Sequence, residues 1–270
     1  MLALLHEGNL NPTQSLAATV YPLPVTSSPK LIGAAAIIFD PTDGRVLFEK
    51  NANAQLPLAS ITKLMTAEIV LSSETPDTLV TITQSALAPE ANSGLRAGDV
   101  IPLNQLLKLG LIASSNDAME AAAESLGPDY LVHMNQTAKD LGLTETYFLN
   151  PTGLDVNADT SGAYSSAYDV ARLASLFYKQ YPTYFEQTQQ TSVTITIGDR
   201  VLTKPATAAP LLSVPGFIGA KTGYTDLAGG NLVAIFDIEI GHPLVAVVLG
   251  STRDGRFDDI KTLIATARQK

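Results

Sequence analysis

Apolar and polar residues follow different patterns along the chain, and each change of pattern marks a predicted element. Residues 31–39 form an apolar run, residues 40–44 a turn cluster and residues 45–49 a short apolar-centred segment. This order predicts a β-hairpin. From Ser60 to Ile69 apolar residues recur at helical spacing without an internal Gly or Pro, which predicts a helix that begins near Ser60.

The middle of the chain keeps the helical spacing. One helix is predicted after Pro102 and another ends at Gly142. Their apolar positions are Leu103, Leu106, Leu107, Leu111, Leu131, Met134, Ala138 and Leu141. Ser166 and Asp169 resemble a capping box at the start of a further helix. Residues 84–189 are therefore predicted to be mainly helical.

The last third of the chain returns to strand patterns. Residues 192–197 alternate before a Gly-Asp turn, and apolar strands follow at 231–238 and 243–250. A final helix is marked by Phe257, Ile260 and Ile264. Strands at both ends with helices between them predict an α/β fold of the α+β type, in which an antiparallel sheet is flanked by helices and joined to a helical lobe.

The predicted domain organisation follows from these patterns. Residues 1–30, rich in Pro, Ser and Thr towards their end, are interpreted as an N-terminal linker or edge segment. Residues 31–270 form one domain, with a sheet lobe at 31–83 and 190–270 and a helical lobe at 84–189. The cleft between the lobes is the expected functional site.

Charge and hydropathy exclude several classes of function. The formal net charge of −9 leaves no basic face for phosphates, so neither nucleic-acid binding nor attraction to an acidic membrane surface is expected. No run of about 20 apolar residues occurs. Residues 1–10 contain His6 and Glu7 after a short apolar stretch, so no signal peptide is predicted there. The chain is expected to be soluble and to have no transmembrane segment.

The chain offers few groups for metal or thiol chemistry. It has no cysteine, and His6, His133 and His242 are not paired with other ligands at metal-binding spacing. No metal and no cofactor are therefore predicted. Covalent catalysis would have to use an oxygen or nitrogen nucleophile.

Ser60 and Lys63 are a candidate nucleophile and base. Three residues apart on a helix, they lie on the same face. A serine hydroxyl needs a base, and the chain has no suitable histidine. Neutral Lys63 requires a pKa near 7 instead of about 10.4, a preference of roughly 4 to 5 kcal/mol. The pattern alone is weak, because Ser27 and Lys30 share it and Ser60 would equally suit a helix cap.

Two more motifs change the interpretation. Ser114-Ser115-Asn116 follows a predicted helix, and Lys221-Thr222-Gly223 precedes a predicted strand pair. With Ser60 to Lys63 they form the signature of class A β-lactamases and penicillin-binding proteins. Including the flanking residues 58–67, 112–118, 150–155 and 219–225, the chain resembles the low-molecular-mass D-alanyl-D-alanine carboxypeptidases, serine peptidase family S11, over about residues 31 to 265.

The resemblance implies a fold, a substrate and a location. The fold is the two-lobed one of β-lactamases and DD-peptidases. The substrates are peptidoglycan stem peptides that end in D-Ala-D-Ala, and penicillin and other β-lactams acylate the same serine. The location is extracytoplasmic, on the periplasmic or cell-wall side.

The resemblance also implies roles for individual residues. Ser60 is the nucleophile and Lys63 the base, Ser114 relays a proton to the departing nitrogen, and Asn116 holds Lys63 or the substrate amide. The terminal carboxylate meets the positive potential of Lys221 and the hydroxyl of Thr222. The remaining implied residues are Ser60 and Tyr224 as amide donors of an oxyanion hole, Gly223 for close strand approach, and Arg256 as a carboxylate anchor. Arg253 competes for that last role, and a surface ion pair of Arg256 with Asp258 or Asp259 is an equal alternative.

Two departures and three rival functions remain open. Thr152 stands where the family often has histidine, and Ser115 where it usually has glycine; we expect neither to abolish catalysis. A class A β-lactamase would need a deacylating glutamate, for which Glu145 is the candidate, but its spacing to Asn150 is one residue too long. DD-endopeptidase activity on cross-links is the second rival function, and a non-catalytic wall-binding module is the third. Because only about 20 residues follow the last predicted strand, we expect no C-terminal domain of the kind that many such enzymes append.

Overall fold

The computed structural model describes residues 29–87 and 93–269. The predicted linker at 1–30 lies outside the described residues except for its last two positions. In chain order the elements are β1 (Ala35–Phe39), β2 (Val46–Lys50), β3 (Leu56–Pro57), α1 (Lys63–Ser73), β4 (Leu79–Thr81), β5 (Val100–Pro102), α2 (Leu103–Ile112), α3 (Asn116–Glu124), α4 (Tyr130–Asp140), β6 (Tyr147–Phe148), β7 (Ala163–Ser165), α5 (Ala167–Gln180), α6 (Pro182–Glu186), β8 (Ser192–Ile197), β9 (Arg200–Pro205), β10 (Phe217–Thr225), β11 (Gly229–Glu239), β12 (His242–Ser251) and α7 (Gly255–Arg268).

The main sheet joins the two ends of the chain. Its five strands lie in the order β10-β11-β12-β1-β2, and every neighbouring pair is antiparallel. The predicted N-terminal hairpin forms as β1 and β2, and β1 then pairs with β12 from Ala35 opposite Leu249 to Phe39 opposite Val245. The antiparallel sheet completed by both ends of the chain is therefore confirmed.

The sheet is covered on both faces. Along β12, Val245 and Val247 pack into a core shared with the helices, whereas Ala246 and Val248 pack into a second core with α7. This alternation follows from the two-residue period of a strand. A strand buried on both faces reads as a continuous apolar run, which explains why the segments at 231–238 and 243–250 were recognisable in the sequence.

The predicted helices of the middle region form as α2, α4 and α5. Ser166 caps α5, since its hydroxyl accepts a bond from the Asp169 amide at 3.1 Å. Asp169 does not complete the capping box, because its carboxylate accepts from the amide of Glu145 and the hydroxyl of Thr146. The pattern did not predict α3 or the short α6. The division into a sheet lobe and a helical lobe stays a prediction.

Helix α1 is the central helix of the helical part. It packs against α3, α4 and α5, and its residues from Lys63 to Val70 are all buried. Neighbouring elements therefore enclose this stretch on all sides, its polar residues Lys63, Thr66 and Glu68 included. The N-terminus of this enclosed helix is where the candidate nucleophile lies.

Candidate active site

Ser60 lies in a turn of 3₁₀ helix at Ala59–Thr62, directly before α1. The predicted helix start near Ser60 is thus confirmed, although the α-helix itself begins at Lys63. Ala59 has a φ of 50°, a left-handed conformation that costs a residue with a Cβ of order 1–3 kcal/mol. The Thr62 hydroxyl holds the turn by donating to the Ala59 carbonyl at 2.7 Å.

Asn231 on β11 fixes the chain just before this turn. Its fully buried amide donates to the carbonyls of Pro57 and Leu58 at 2.9 and 3.0 Å, and its oxygen accepts from the Gly250 amide at 2.8 Å. One side chain therefore joins the nucleophile segment to both long C-terminal strands. Sequence analysis assigned no role to Asn231, and a single Asn at the start of a strand carries no signal of one.

The side chain of Lys63 is fully buried and lies among three oxygens. Its Nζ is 2.7 Å from Ser60 Oγ, 2.7 Å from Asn116 Oδ1 and 2.8 Å from the main-chain oxygen of Thr152. Burial lowers the pKa of Lys63 from its usual 10.5 to about 7, while the carboxylate of Glu120 acts in the opposite direction. Near neutral pH a substantial fraction of this amine is uncharged.

The three contacts give the neutral amine a defined orientation. A neutral lysine has two N–H groups and one lone pair. The oxygens of Asn116 and Thr152 can only accept hydrogen bonds, so the two N–H groups are directed at them. The lone pair then faces Ser60, whose hydroxyl can donate its proton. This is the arrangement of a nucleophile with its general base.

Ser114 and Lys221 form a second hydroxyl and amine pair. Lys221 Nζ donates to Ser114 Oγ at 2.8 Å and to the Thr222 carbonyl at 2.7 Å. Burial, followed by the charges of Lys63 and Arg256, holds the pKa of Lys221 well below its usual value. Ser114 has a φ of 61°. The loop after α2 therefore turns sharply at the residue whose hydroxyl accepts from Lys221.

Ser115, at the position where the family usually has glycine, caps α3. Its hydroxyl accepts from the Ala118 amide at 3.2 Å. Asn116 is the first residue of the helix that begins there. Serine at position 115 therefore helps to hold Asn116 at the N-terminus of α3. In that position Asn116 contacts Lys63.

The free edge of β10 faces the nucleophile turn. Gln189 donates to the Ile218 carbonyl, and the Ala220 amide donates to Thr188, so even-numbered residues direct their peptide groups away from β11. The Tyr224 amide shares this parity. A Cβ added to Gly223 would lie 3.1 Å from Ser60 N, which shows how closely the strand passes. The amides of Ser60 and Tyr224 are thus on facing segments, as an oxyanion hole requires.

The candidate carboxylate-binding groups have defined partners. Thr222 donates its hydroxyl to Thr207 at 2.7 Å. The buried Arg256 donates through Nη1 to the Gly223 carbonyl at 2.6 Å, and its Nε has no partner among the described residues. The guanidinium of Arg253 lies 4.1 Å from the centre of the exposed Tyr224 ring. Which arginine binds a carboxylate stays a prediction.

The alternative surface ion pair of Arg256 is wrong. Asp258 pairs with Lys261. The carboxylate of Asp259 is buried and accepts from the amides of Ile32 and Gly33 and from the Ser251 hydroxyl. Both carboxylates therefore have other partners. Arg256 instead lies against the strand that carries Lys221.

The loop at residues 150–155 makes a contribution that sequence analysis missed. Asn150 Oδ1 accepts from the amides of Thr152 and Gly153, and this turn directs the Thr152 carbonyl at Lys63. A Cβ at Gly153 would come within 1.9 Å of the Ala59 carbonyl, so the loop packs directly on the nucleophile turn. The Asn-Pro-Thr-Gly sequence was a turn signal, but a main-chain ligand to Lys63 leaves no side-chain signature.

Glu145, the candidate deacylating residue of a β-lactamase, is held by its main chain. Its amide donates to Asp169 and its carbonyl accepts from Gln55. No hydrogen bond or ion pair joins Glu145 to Ser60 or Lys63 in the part of the chain that the structure describes. A glutamate whose charge does act on Lys63 is Glu120, four residues after Asn116 on α3, which sequence analysis did not single out.

Residues 29–87 and 93–269 contain no group of three or more His, Asp or Glu side chains that could hold a metal ion. His242 instead contacts the buried carboxylate of Asp40 at 2.8 Å, and His6 lies outside the described residues. None of the helices in these ranges combines the length and apolarity needed to cross a membrane.

Solved structures with the same architecture define the class. Penicillin-binding protein D2 of Listeria monocytogenes, bound to ampicillin, is 30% identical with a TM-score of 0.78, over 89% of this chain and 98% of that chain. A D-alanyl-D-alanine carboxypeptidase of Mycobacterium tuberculosis is 26% identical with a TM-score of 0.81, over 94% and 95% of the two chains. The fold is therefore that of the penicillin-binding DD-peptidases, as the motifs implied.

Sequence comparison defines the family within this class. The sequence profile of the D-alanyl-D-alanine carboxypeptidases matches residues 24–253. The chain is 33% identical over 210 residues to D-alanyl-D-alanine carboxypeptidase DacF of Bacillus subtilis. The chain belongs to the D-alanyl-D-alanine carboxypeptidase family. The match covers 74% of this chain and 53% of DacF, so the chain spans about half the length of that relative.

Proposed function

We propose that the protein is a serine DD-carboxypeptidase that removes the terminal D-alanine from peptidoglycan stem peptides through an acyl-enzyme on Ser60. One observation carries this proposal. The amine of Lys63 has its two N–H groups assigned to Asn116 and Thr152, which leaves its lone pair for the Ser60 hydroxyl at 2.7 Å. A serine with a buried amine at this distance, a substantial fraction of it uncharged near neutral pH, is prepared to attack a carbonyl.

Acylation begins when Ser60 Oγ attacks the carbonyl carbon of the penultimate D-alanine. Lys63 accepts the hydroxyl proton as the C–O bond forms. The negative charge that develops on the carbonyl oxygen is stabilised by the amides of Ser60 and Tyr224. When the C–N bond breaks, Ser114 donates its proton to the departing nitrogen and regains one from protonated Lys63, so D-alanine leaves with an amino group and the amine of Lys63 is neutral again.

The free carboxylate of the substrate selects the C-terminal end of a peptide. Lys221, the Thr222 hydroxyl and Arg256 supply the positive potential and donors for it. Arg256 acts from beneath β10, since its Nη1 is bonded to the Gly223 carbonyl and its Nε is free of partners among the described residues. A β-lactam carries a carboxylate near its reactive carbonyl and would occupy the same groups.

Hydrolysis of the acyl-enzyme completes the cycle. Water attacks the ester carbonyl while the neutral amine of Lys63 accepts a proton from it, and that proton passes to Ser60 Oγ as the ester C–O bond breaks. Penicillin keeps its leaving nitrogen tethered within the adduct. Glu145 makes no hydrogen bond or ion pair with Ser60 or Lys63 among the described residues, so we expect the penicillin adduct to be hydrolysed slowly.

The substrate sets the location and the partners. Peptidoglycan lies outside the cytoplasmic membrane, so the protein works on the periplasmic or cell-wall side. Its partners are stem peptides and β-lactams. The net charge of −9 supports no role with nucleic acid.

The test is the release of free D-alanine from an acetylated peptide ending in L-Lys-D-Ala-D-Ala. The same peptide ending in L-Ala-L-Ala, with release of free L-alanine as the measurement, is the control for stereochemistry. We expect release from the first peptide only, with Ser60→Ala inactive and unlabelled by penicillin. Failure of the parent to release D-alanine overturns the proposal. Penicillin labelling without release would instead support a non-turnover binding protein, and rapid release of hydrolysed penicillin would support a β-lactamase.

A further inference from the structure

A pocket with a volume of about 260 Å³ lies at the end of β10. Its walls come from the 150–155 loop, from the end of the strand and from the segment before α7, through Leu154, Asp155, Tyr224, Thr225, Asp226 and Arg253. Tyr224 also directs its amide at the cleft of the proposed oxyanion hole. The pocket therefore adjoins the point where the substrate carbonyl would be attacked.

The direction of a bound peptide follows from the site. A peptide can add to the free edge of β10 as an extra strand. Its terminal carboxylate lies towards Lys221 and Thr222, and its scissile carbonyl lies at Tyr224. The peptide consequently runs antiparallel to β10. The residue before the penultimate D-alanine then lies about 3.3 Å further along, opposite Thr225 and Asp226.

The pocket contains charges of both signs. The Arg253 guanidinium is exposed and lies over the Tyr224 ring, 4.1 Å from its centre, so its position is held without a carboxylate partner. Asp155 accepts from the Thr225 hydroxyl at 2.9 Å and from the Leu227 amide at 3.3 Å. Asp226 is exposed. Among the described residues no ion pair joins Arg253 to Asp155 or Asp226.

We propose that this pocket receives the side chain of the residue that precedes the two D-alanines, and that it selects a side chain ending in both an ammonium and a carboxylate group. The ammonium would face Asp155 and Asp226, and the carboxylate would face Arg253. The inference rests on the proposed function, because that function sets the direction of the peptide.

Side chains with one charge fit the pocket less well. A lysine side chain would meet the carboxylates but would bring its ammonium near Arg253 without a compensating group. A lone carboxylate would meet Arg253 but would be repelled by Asp155 and Asp226. Only an end group with both charges gives each charged side chain of the pocket an opposite partner.

The experiment compares two acetylated peptides, one ending in L-Lys-D-Ala-D-Ala and one in which meso-diaminopimelate replaces lysine. Release of D-alanine gives kcat/KM for each. Because Arg253 and Asp226 are exposed, the gain is that of a solvent-exposed charge pair, and we expect the parent to prefer the diaminopimelyl peptide by roughly two- to fivefold. Arg253→Gln should remove most of this preference, chiefly by slowing the diaminopimelyl peptide. Arg253→Glu should reverse it.

A matched control separates the pocket from overall charge. Lys261→Gln removes an exposed cation from α7 and should leave the ratio of the two kcat/KM values unchanged. Equal values for the two peptides in the parent, or a ratio that Arg253→Gln does not alter, would overturn the pocket assignment while leaving the proposed function in place. No D-alanine release from either peptide would overturn the proposed function and this inference with it.

Discussion

The amine of Lys63 donates to the main-chain carbonyl of Thr152, 89 residues further along the chain, at 2.8 Å. A carbonyl cannot be removed by changing a side chain, so this contact depends on the conformation of the loop. Asn150 sets that conformation by accepting from the amides of Thr152 and Gly153 and donating to the Leu154 carbonyl.

This relationship predicts opposite outcomes for two neighbouring substitutions. Thr152→Ser keeps the carbonyl and the hydroxyl, and penicillin acylation should stay within about tenfold, or roughly 1.4 kcal/mol of barrier. Asn150→Ala removes the turn's acceptor and should slow acylation by about 10²-fold, as displacements near 1 Å do. Second-order acylation rates test both, with Tm measured to exclude unfolding. Equal effects of the two substitutions would contradict the role given to the loop.

The pKa of Lys63 predicts the pH dependence of acylation. Burial lowers this pKa to about 7, and only the neutral amine accepts the Ser60 proton. The acylation rate should therefore fall below about pH 7 and be independent of pH above it until other groups titrate. Lys63→Ala should lower the rate by roughly 10²- to 10⁴-fold at every pH. The measurement is the acylation rate from pH 5 to 10. If the rate fell only below a pH near the pKa of free lysine, Lys63 would be excluded as the base.

The carboxylate of Glu120 should influence the acid limb of the pH profile, that is, the pH below which the acylation rate falls. Its carboxylate stabilises charged Lys63, and Tyr130 supports its ionised form by donating to Oε1 at 3.2 Å. Glu120 itself has a raised pKa, through burial and then through repulsion from Glu124. Glu120→Gln should lower the pKa of Lys63 and move the acid limb to lower pH.

Two further variants test the direction in which the acid limb moves. Tyr130→Phe weakens the ionised form of Glu120 and should move the limb in the same direction by less. Glu124→Gln removes the repulsion and should not move the limb downward. A purely structural role for Glu120 would lower the rate at all pH values without moving the limb, and that result would contradict the electrostatic account.

Asn231 predicts a coupled loss of stability and activity. Asn231→Ala leaves the buried Leu58 carbonyl, the partly buried Pro57 carbonyl and the partly buried Gly250 amide without these partners. Each unsatisfied buried group costs about 1–3 kcal/mol, so we expect the free energy of unfolding to fall by at least about 2 kcal/mol. Urea unfolding measures the fall. Asn104→Ala, which loses one exposed bond to Asp77, is the control and should cost far less.

Much of the fold was readable because burial leaves a pattern in the sequence. The two long C-terminal strands are continuous apolar runs, since helices cover both faces of the sheet. The β1–β2 hairpin was marked by a polar turn between apolar segments, and β8 by its alternation before a Gly-Asp turn, whereas its partner β9 at Arg200–Pro205 was not predicted. The apolar spacing did not mark α3, although Ser115 before it is a typical helix cap.

Sequence motifs predicted the side chains of the site but not its main-chain groups. Ser60, Lys63, Ser114, Asn116 and Lys221 were named from the sequence, and the structure joins them in two sets of direct contacts, while their catalytic roles stay predictions. The Thr152 carbonyl was not predictable, because any residue supplies a carbonyl. The left-handed backbone at Ala59 and Ser114 was equally hidden, since both residues usually avoid that conformation.

The bonds from Asn231 to Pro57 and Leu58 also bear on when the nucleophile segment is fixed during synthesis. The amide and the Pro57 carbonyl are 174 residues apart in the chain, a distance that a ribosome covers in roughly 9 to 35 s at about 5–20 residues per second. Throughout that interval the nucleophile segment lacks the strand that fixes it. Covalent capture of a penicillin by Ser60 should thus report a domain whose last strands have already docked.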